Sequence, residues 1–241
     1  SGELFAGFSQ IYKLENRAWT KISNHSFGGD LDNIEIDPND DNFMLVSNSF
    51  SLYRTTDKGS TFSRINFSGG EIESIEISNT DANIAWIVAS GSIFKSTNIK
   101  SAAPTFTNIT GNLPSEGKNV IKHHTRSGNN TIYVGTNLGV YYTNDDLTNW
   151  ETFDNNLPNT KVTDLEINEE DSKLYAATYG RGIFVTDIPK QLPANDVRLI
   201  SITAPSNDII NSSGSIVPKI TIKNQGTETI TSATISYSFN G

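Results

Sequence analysis

The sequence contains no cysteine, one methionine and three histidines among its 241 residues. Disulfide bonds and thiolate metal sites are therefore excluded. No apolar run approaches the roughly 18 residues that a membrane helix requires, so we expect no membrane insertion. Cations are also scarce, with 18 Lys and Arg against 27 Asp and Glu, and the net charge is −9. Nucleic acids and anionic membrane surfaces attract clustered Lys and Arg, so we expect neither as a partner.

A convincing 3.6-residue helical period is missing, and the chain is instead built from a repeat. Apolar pairs recur at spacings of 41, 41, 47 and 43 residues, at Ile11-Tyr12, Leu52-Tyr53, Ile93-Phe94, Val140-Tyr141 and Ile183-Phe184. A triplet with a charged centre runs in phase with them, at Ile34–Ile36, Ile75–Ile77, Ile121–His123 and Leu165–Ile167. An apolar strand such as "FMLVS" lies between the two series, and an aromatic residue closes the unit at Trp19, Phe62, Phe106 and Trp150. Each unit therefore predicts four short strands.

Repeated four-stranded units of this length predict an all-β fold, a β-propeller whose blades are four-stranded antiparallel sheets. The innermost strands are expected to contain Ile34, Ile75, Ile121 and Leu165. Residues 3–22 and 162–188 supply only three strands each, so two incomplete blades flank three complete ones. We therefore expect residues 1–188 to be an incomplete propeller fragment, the C-terminal part of a larger propeller.

One turn of the second unit, "TTDKGSTF" at 55–62, carries a recognisable motif. An Asp side chain accepts hydrogen bonds from turn amides, and Gly adopts backbone angles that other residues resist. The segment resembles the Asp-box of BNR-type propellers such as sialidases, sortilin-like receptors and xyloglucanase-like glycosidases. The matching residues are Thr55, Asp57, Gly59, Thr61 and Phe62, with Phe in place of the commoner Trp. The resemblance implies a structural role for this box.

Weaker copies of the motif lie in register with it. "TNDDLTNW" at 143–150 lacks the glycine, "STNIKSAAPTF" has an enlarged loop, and "KLENRAW" keeps only the shape. The tripeptide "NLP" occurs at 112–114 and 156–158, and "YAATYGRGIF" at 175–184 resembles the closing blade of the same propellers. Together these segments extend the resemblance over the whole of residues 1–188.

The chain changes character after the last unit. Two prolines in "TDIPKQLPAND" break the pattern, and residues 189–195 are predicted to be a linker. Residues 196–241 alternate apolar and polar positions and resemble the N-terminal part of an immunoglobulin-like, CARDB-type module of secreted bacterial proteins. Such a sandwich needs about seven strands and only three or four are present, so this domain is expected to be partial.

Candidate ligand residues lie in loops expected at the edge of the blades opposite the Asp-box. Tyr179 and Arg181 share one loop, and Asp30 and Glu71 lie in others. Solvated turns also contain such acids, and Arg181 is also explained by a structural pair within its blade. Glycoside hydrolysis requires two positioned carboxylates, and nothing at the sequence level pairs these acids, so we assign no catalytic residue.

Metal and cofactor sites are not expected either. Adjacent residues of a strand point to opposite faces, so His123 and His124 cannot chelate one metal together. The acidic turn at 37–42 does not match the spacing of an EF-hand, and there is no phosphate-binding glycine loop.

The resemblance implies a secreted or cell-surface bacterial protein, with export through a type IX sorting domain. The expected function is non-catalytic recognition, adhesion or a scaffold role within a larger polypeptide, with a glycan or protein ligand. The alternative is the C-terminal propeller part of a glycoside hydrolase, sialidase- or xyloglucanase-like, whose catalytic acids lie upstream. Propellers host both classes, so the fold alone does not choose between them.

Overall fold

The computed structural model describes residues 3–153, 157–190, 196–204 and 217–236. The chain divides into two compact units, Ser1–Pro189 and Lys190–Gly241. The regular secondary structure of the described residues is β-strand apart from one 3₁₀ turn at Thr125–Ser127. Among these residues no helix is long and apolar enough to cross a membrane.

The first unit contains five antiparallel sheets that follow one another in chain order. Blade 1 comprises β1 (Leu4–Gly7), β2 (Ile11–Glu15) and β3 (Ala18–Lys21). Blade 2 comprises β4 (Asn33–Ile36), β5 (Met44–Asn48), β6 (Ser51–Thr55) and β7 (Ser63–Ile65). Blade 3 comprises β8 (Ile72–Ile77), β9 (Ala85–Ala89), β10 (Ser92–Ser96) and β11 (Thr107–Asn108). Blade 4 comprises β12 (Lys118–His123), β13 (Ile132–Thr136), β14 (Gly139–Thr143) and β15 (Glu151–Thr152). Blade 5 comprises β16 (Val162–Asn168), β17 (Lys173–Thr178) and β18 (Gly182–Asp187).

These sheets form a five-blade β-propeller arrangement, as the repeat predicts. Blades 2, 3 and 4 have four strands, and blades 1 and 5 have three. The strands β4, β8, β12 and β16 contact one another in series and form the innermost layer. Ile34, Ile75, Ile121 and Leu165 all lie on them.

The blades are held together by four hydrophobic clusters, one between each successive pair of sheets. Successive side chains of a strand point to opposite faces of the sheet, so one sheet can pack against both neighbouring blades. In β9, Ala85, Ile87 and Ala89 face blade 2, whereas Trp86 and Val88 face blade 4. All five residues are buried. Strand β9 is therefore apolar at every position rather than at every second one.

Contacts at the outer ends of the blades explain the closing aromatic residues. Phe62 packs on Phe27, in the segment after blade 1, at 4.9 Å between ring centroids, and Phe106 packs on Phe67, in the segment after blade 2, at 5.0 Å. Trp150 donates its indole N–H to the Ile109 carbonyl at 2.8 Å. Each closing aromatic thus fastens its blade to the segment that follows the outer strand of the blade before it.

The second unit is described only in part. Its described residues form one antiparallel sheet of β19 (Val197–Ala204) and β20 (Lys219–Asn224), with two register shifts. Residues 191–195, 205–216 and 237–241 lie outside the described residues. Most of the predicted linker is among them, and the immunoglobulin-like module stays a prediction.

Candidate functional site

Five turns, one from each blade, lie at the same edge of the sheets. They are the "tip turns" 8–10, 49–50, 90–91, 137–138 and 179–181, each joining the two strands equivalent to β5 and β6. In an antiparallel sheet the next turn along the chain lies at the opposite edge. The tip turns therefore lie opposite the turn at 55–62, as the sequence predicts.

Backbone hydrogen bonds hold the tip turns against the loops between blades. The Phe8 carbonyl accepts the Leu31 amide at 3.0 Å, and the Ser49 carbonyl accepts the Ile72 amide at 2.6 Å. The Tyr179 amide donates to the Lys161 carbonyl at 2.9 Å. Turns tied in this way keep their shape when a ligand binds, which lowers the entropic cost of recognition.

The four predicted ligand residues are all exposed at this edge. Tyr179 is 77% exposed and shares its turn with Arg181. Asp30 and Glu71 lie in the loops that lead into β4 and β8. No hydrogen bond or ion pair joins these four side chains within the described part of the chain. Tyr179 and Arg181 thus share one turn, whereas Asp30 and Glu71 lie in loops that belong to different blades.

Three further tip residues escaped sequence analysis. Phe8 is 64% exposed, Phe50 is 62% exposed and Leu138 is 42% exposed. Tight turns usually contain Gly, Asn, Asp or Ser, so an apolar residue at the same position of several repeats was a signal that could have revealed them.

A second group of polar residues lies on the innermost strands, at the centres of the repeated triplets. Glu76 on β8 is buried, and its Oε1 accepts the His123 amide at 2.9 Å. Its Oε2 lies 3.3 Å from Nζ of Lys122 on β12. Glu35 on β4 and Glu166 on β16 occupy the equivalent positions of the neighbouring blades. We call these four residues the inner charged row; they set three carboxylates against one lysine.

Burial and mutual repulsion decide the charges in this row. Burial and, second to it, the charge of the neighbouring Glu76 together raise the pKa of Glu35 to about 8. Burial also raises the pKa of Glu76, although Lys122 opposes the shift. The pKa of Lys122 is raised because attraction to Glu76, Glu35 and Glu166 outweighs its burial. Glu35 therefore carries a proton at neutral pH. Within the row Glu76 is buried, whereas Glu166 is exposed and lines a cavity of about 660 Å³ together with Glu169 and Tyr175.

The predicted structural turn at 55–62 is a closed hydrogen-bond network. Asp57 accepts the Thr61 amide at 2.8 Å and the Thr61 hydroxyl at 2.6 Å. It also accepts the Thr55 hydroxyl at 2.7 Å. The Gly59 amide donates to the Thr55 hydroxyl at 3.0 Å, and Gly59 has a φ of +90° that favours glycine. The hydroxyl of Thr61 holds the pKa of Asp57 below its ordinary value. The donors from Thr61 are exposed, which lowers the cost expected for losing them.

The tripeptide "NLP" has a clear contact in blade 4. Asn112 accepts the Trp150 amide at 2.8 Å and donates to the Trp150 carbonyl at 2.9 Å. One side chain thus satisfies both backbone groups of the closing aromatic. The equivalent Asn156 lies outside the described residues.

The two adjacent histidines have different surroundings. His123 stacks on Trp86 at 5.1 Å between ring centroids, whereas Nε2 of His124 lies 3.4 Å from Glu169. Burial lowers the pKa of His123 to about 4. Across the described residues no group of three or more His, Cys, Asp or Glu side chains is placed to hold a metal ion.

Comparison with known proteins identifies the fold but assigns no family. No family model and no curated protein matches the sequence. Similar solved structures include an ancestral GH74 enzyme, with a TM-score of 0.57 and 16% identity over 73% of this chain and 26% of that one. The GH74 xyloglucanase from Xanthomonas campestris gives 0.59 and 14% over 73% of this chain and 32% of that one. The Myceliophteria thermophila Cps50 (Swd1) β-propeller domain gives 0.60 and 12% over 90% of this chain and 67% of that one.

The chain therefore spans about a quarter to a third of the length of these GH74 structures. At 12–16% identity the similarity shows the fold and nothing finer. The first unit is a five-blade arrangement of the β-propeller type, similar to the propellers of GH74 xyloglucanases.

Proposed function

We propose that this chain is a non-catalytic recognition region of a larger secreted or cell-surface bacterial protein, and that its ligand is a glycan. The observation that carries the proposal is the tip-turn edge, where Tyr179 and Arg181 are exposed on a turn whose backbone is tied to the preceding loop. An aromatic ring and a guanidinium group offer stacking and hydrogen bonds to a sugar.

Two facts support recognition over catalysis. The exposed acids Asp30 and Glu71 lie in loops that belong to different blades. The carboxyl groups with raised pKa values, Glu35 and Glu76, lie on the innermost strands, and Glu76 is 5% exposed. A glycosidase requires an acid and a nucleophile or base on either side of an accessible bond.

The second candidate is the propeller part of a glycoside hydrolase whose catalytic acids lie upstream. It is favoured by one observation, that several of the similar structures are GH74 enzymes. A protein ligand is the remaining option for the recognition role.

The test is native affinity electrophoresis of the full 241-residue chain in gels that contain xyloglucan or mixed-linkage β-glucan. Retardation by one of these polysaccharides supports glycan recognition. Unchanged mobility in both gels, with retention on a protein ligand instead, contradicts it.

We infer that the turn at 55–62 is an Asp-box with a structural role. Support comes from the three hydrogen bonds that Asp57 accepts and from the packing of Phe62 on Phe27. On this proposal the box fastens blade 2 to blade 1 and takes no part in ligand binding.

We also infer that the propeller has further blades and that an immunoglobulin-like module follows it. Blades 1 and 5 expose apolar residues at positions that are buried in blade 4. Trp19 is 50% exposed and its equivalent Trp150 is 5% exposed, and Ile183 is 70% exposed and its equivalent Val140 is 3% exposed. The Asp-box resemblance supports export to the cell surface. The paired strands β19 and β20 are compatible with the start of a sandwich.

A further inference from the structure

The tip turns carry a row of exposed aromatic and aliphatic side chains. We propose that Phe8, Phe50, Leu138 and Tyr179 together form the contact surface for an extended, uncharged polysaccharide. This inference rests on the proposed function, because it names the ligand class and the residues of the same edge. Only Tyr179 is a candidate from sequence; the other three become candidates through their exposure and shared position.

The four residues occupy one structural position in four blades. Each lies in the turn between the strands equivalent to β5 and β6, so successive copies follow one another around the arrangement. In blade 3 the same position is Ser90-Gly91, where a Cβ on Gly91 would meet no atom within 4 Å. The row is therefore interrupted by a bare turn between Phe50 and Leu138. A polymer could cross this gap and contact apolar groups on either side.

The turns are rigid enough to act as preformed contacts. The Ser49 amide donates to Asp32 at 2.6 Å, and the Ser51 amide donates to Asn48 at 3.1 Å, so both sides of Phe50 are fixed. The Leu138 amide donates to the Thr136 hydroxyl at 3.0 Å. A turn backbone held in this way loses little freedom on binding, which favours affinity.

The net charge of the chain and the distribution of the tip residues over separate blades favour one ligand class. The chain carries a net charge of −9, which disfavours polyanionic glycans. A protein-binding patch has a contiguous apolar core, but here each apolar residue belongs to a different blade and a bare glycine turn separates two of them. Aromatic rings instead stack singly on the C–H faces of pyranose rings, whose hydroxyl groups can bond to acids and amides such as Asp30 and Asn137.

The test compares four variants of the full chain by isothermal titration with xyloglucan. Phe50→Ala and Tyr179→Ala should each weaken binding about 5-fold, and the double variant about 25-fold, since contacts in separate blades act independently. Trp19→Ala is the matched control, because Trp19 is an exposed aromatic residue on a sheet face rather than at a tip. Its affinity should stay within about 2-fold of the parent chain, and none of the variants should change the melting temperature, because every mutated ring is exposed.

The outcomes separate this inference from the proposed function. Binding to xyloglucan that is unchanged in both tip variants overturns the tip surface but leaves glycan recognition standing. No binding to xyloglucan or mixed-linkage β-glucan overturns the proposed function itself. Stronger binding to heparin than to either neutral polymer contradicts the uncharged ligand. A change in oligomeric state in the tip variants, measured by sedimentation, would make the row a contact between copies of this chain and would also overturn the inference.

Discussion

Replacing Lys122 tests the inner charged row, because it is the row's single cation. Its Nζ lies 3.3 Å from Glu76, and Glu35 and Glu166 hold the equivalent positions of the adjacent blades. Lys122→Met keeps most of the aliphatic stem but leaves the buried Glu76 without its counter-charge. Removing one partner of a buried pair costs about 3 to 5 kcal/mol, and the carboxyl group recovers part of this by taking up a proton. We expect a loss of about 2 to 3 kcal/mol in unfolding free energy at pH 7.

The loss should depend on pH in a defined direction. A carboxyl group whose pKa is raised in the folded state stabilises the fold below its unfolded pKa, and that stability disappears as the pH rises through the folded pKa. In Lys122→Met the pKa values of Glu35 and Glu76 move further up. The variant should therefore lose little unfolding free energy at pH 5 and most at pH 8.

Urea unfolding followed by tryptophan fluorescence measures the effect, since Trp86 and Trp150 are buried between blades 3 and 4. The control is Lys58→Met, which removes an exposed pair with Asp41 at 2.6 Å and should cost under about 0.5 kcal/mol. An equal loss at pH 5 and pH 8 would assign the effect to packing rather than charge. A loss of unfolding free energy no larger than that of the control would show that the inner charged row does not stabilise the fold.

Three further predictions concern the propeller's stability. Asp57→Ala should cost about 1 kcal/mol by urea unfolding, because the lost bonds to Thr61 lie at the surface, and xyloglucan affinity should not change; reduced affinity with normal stability would contradict a structural turn. Gly135→Ala should lower the free energy of unfolding by about 1 to 3 kcal/mol, because a Cβ there would lie 2.7 Å from Val120 and Val162. An unchanged melting temperature would show that blades 4 and 5 can move apart to make room for the methyl group. Because the pKa of His123 is lowered to about 4, the free energy of unfolding should decline as the pH falls from 6.5 to 4. His123→Phe should flatten this decline, and an equal dependence of stability on pH in both proteins would show that His123 is not its source.

The strand order was predictable from sequence because each strand carries its own apolar pattern. The in-phase series at Ile34, Ile75, Ile121 and Leu165 predicts the innermost layer, and the structure confirms it. Local turn chemistry likewise predicted the hydrogen bonds of Asp57, although not that the Thr61 donors are exposed.

Contacts between blades were beyond sequence reasoning because their partners lie 38 to 47 residues apart. The sequence around Glu76 is typical of a solvated strand residue, and only the structure shows that Glu76 pairs with Lys122. Asn112 gives no sign of clamping Trp150. The shared turn position of Phe8 and Phe50 was visible in the repeat, but their exposure is a property of the assembled blades.

The most direct test of the account is to measure binding and turnover in the same sample. The full chain is incubated with xyloglucan, the polymer-bound fraction is determined by sedimentation, and new reducing ends are counted over several hours. Recognition without catalysis predicts a saturable bound fraction and no reducing ends above a protein-free control. Reducing ends that accumulate with the chain and disappear in Asp30→Asn or Glu71→Gln would contradict the account and establish a glycosidase.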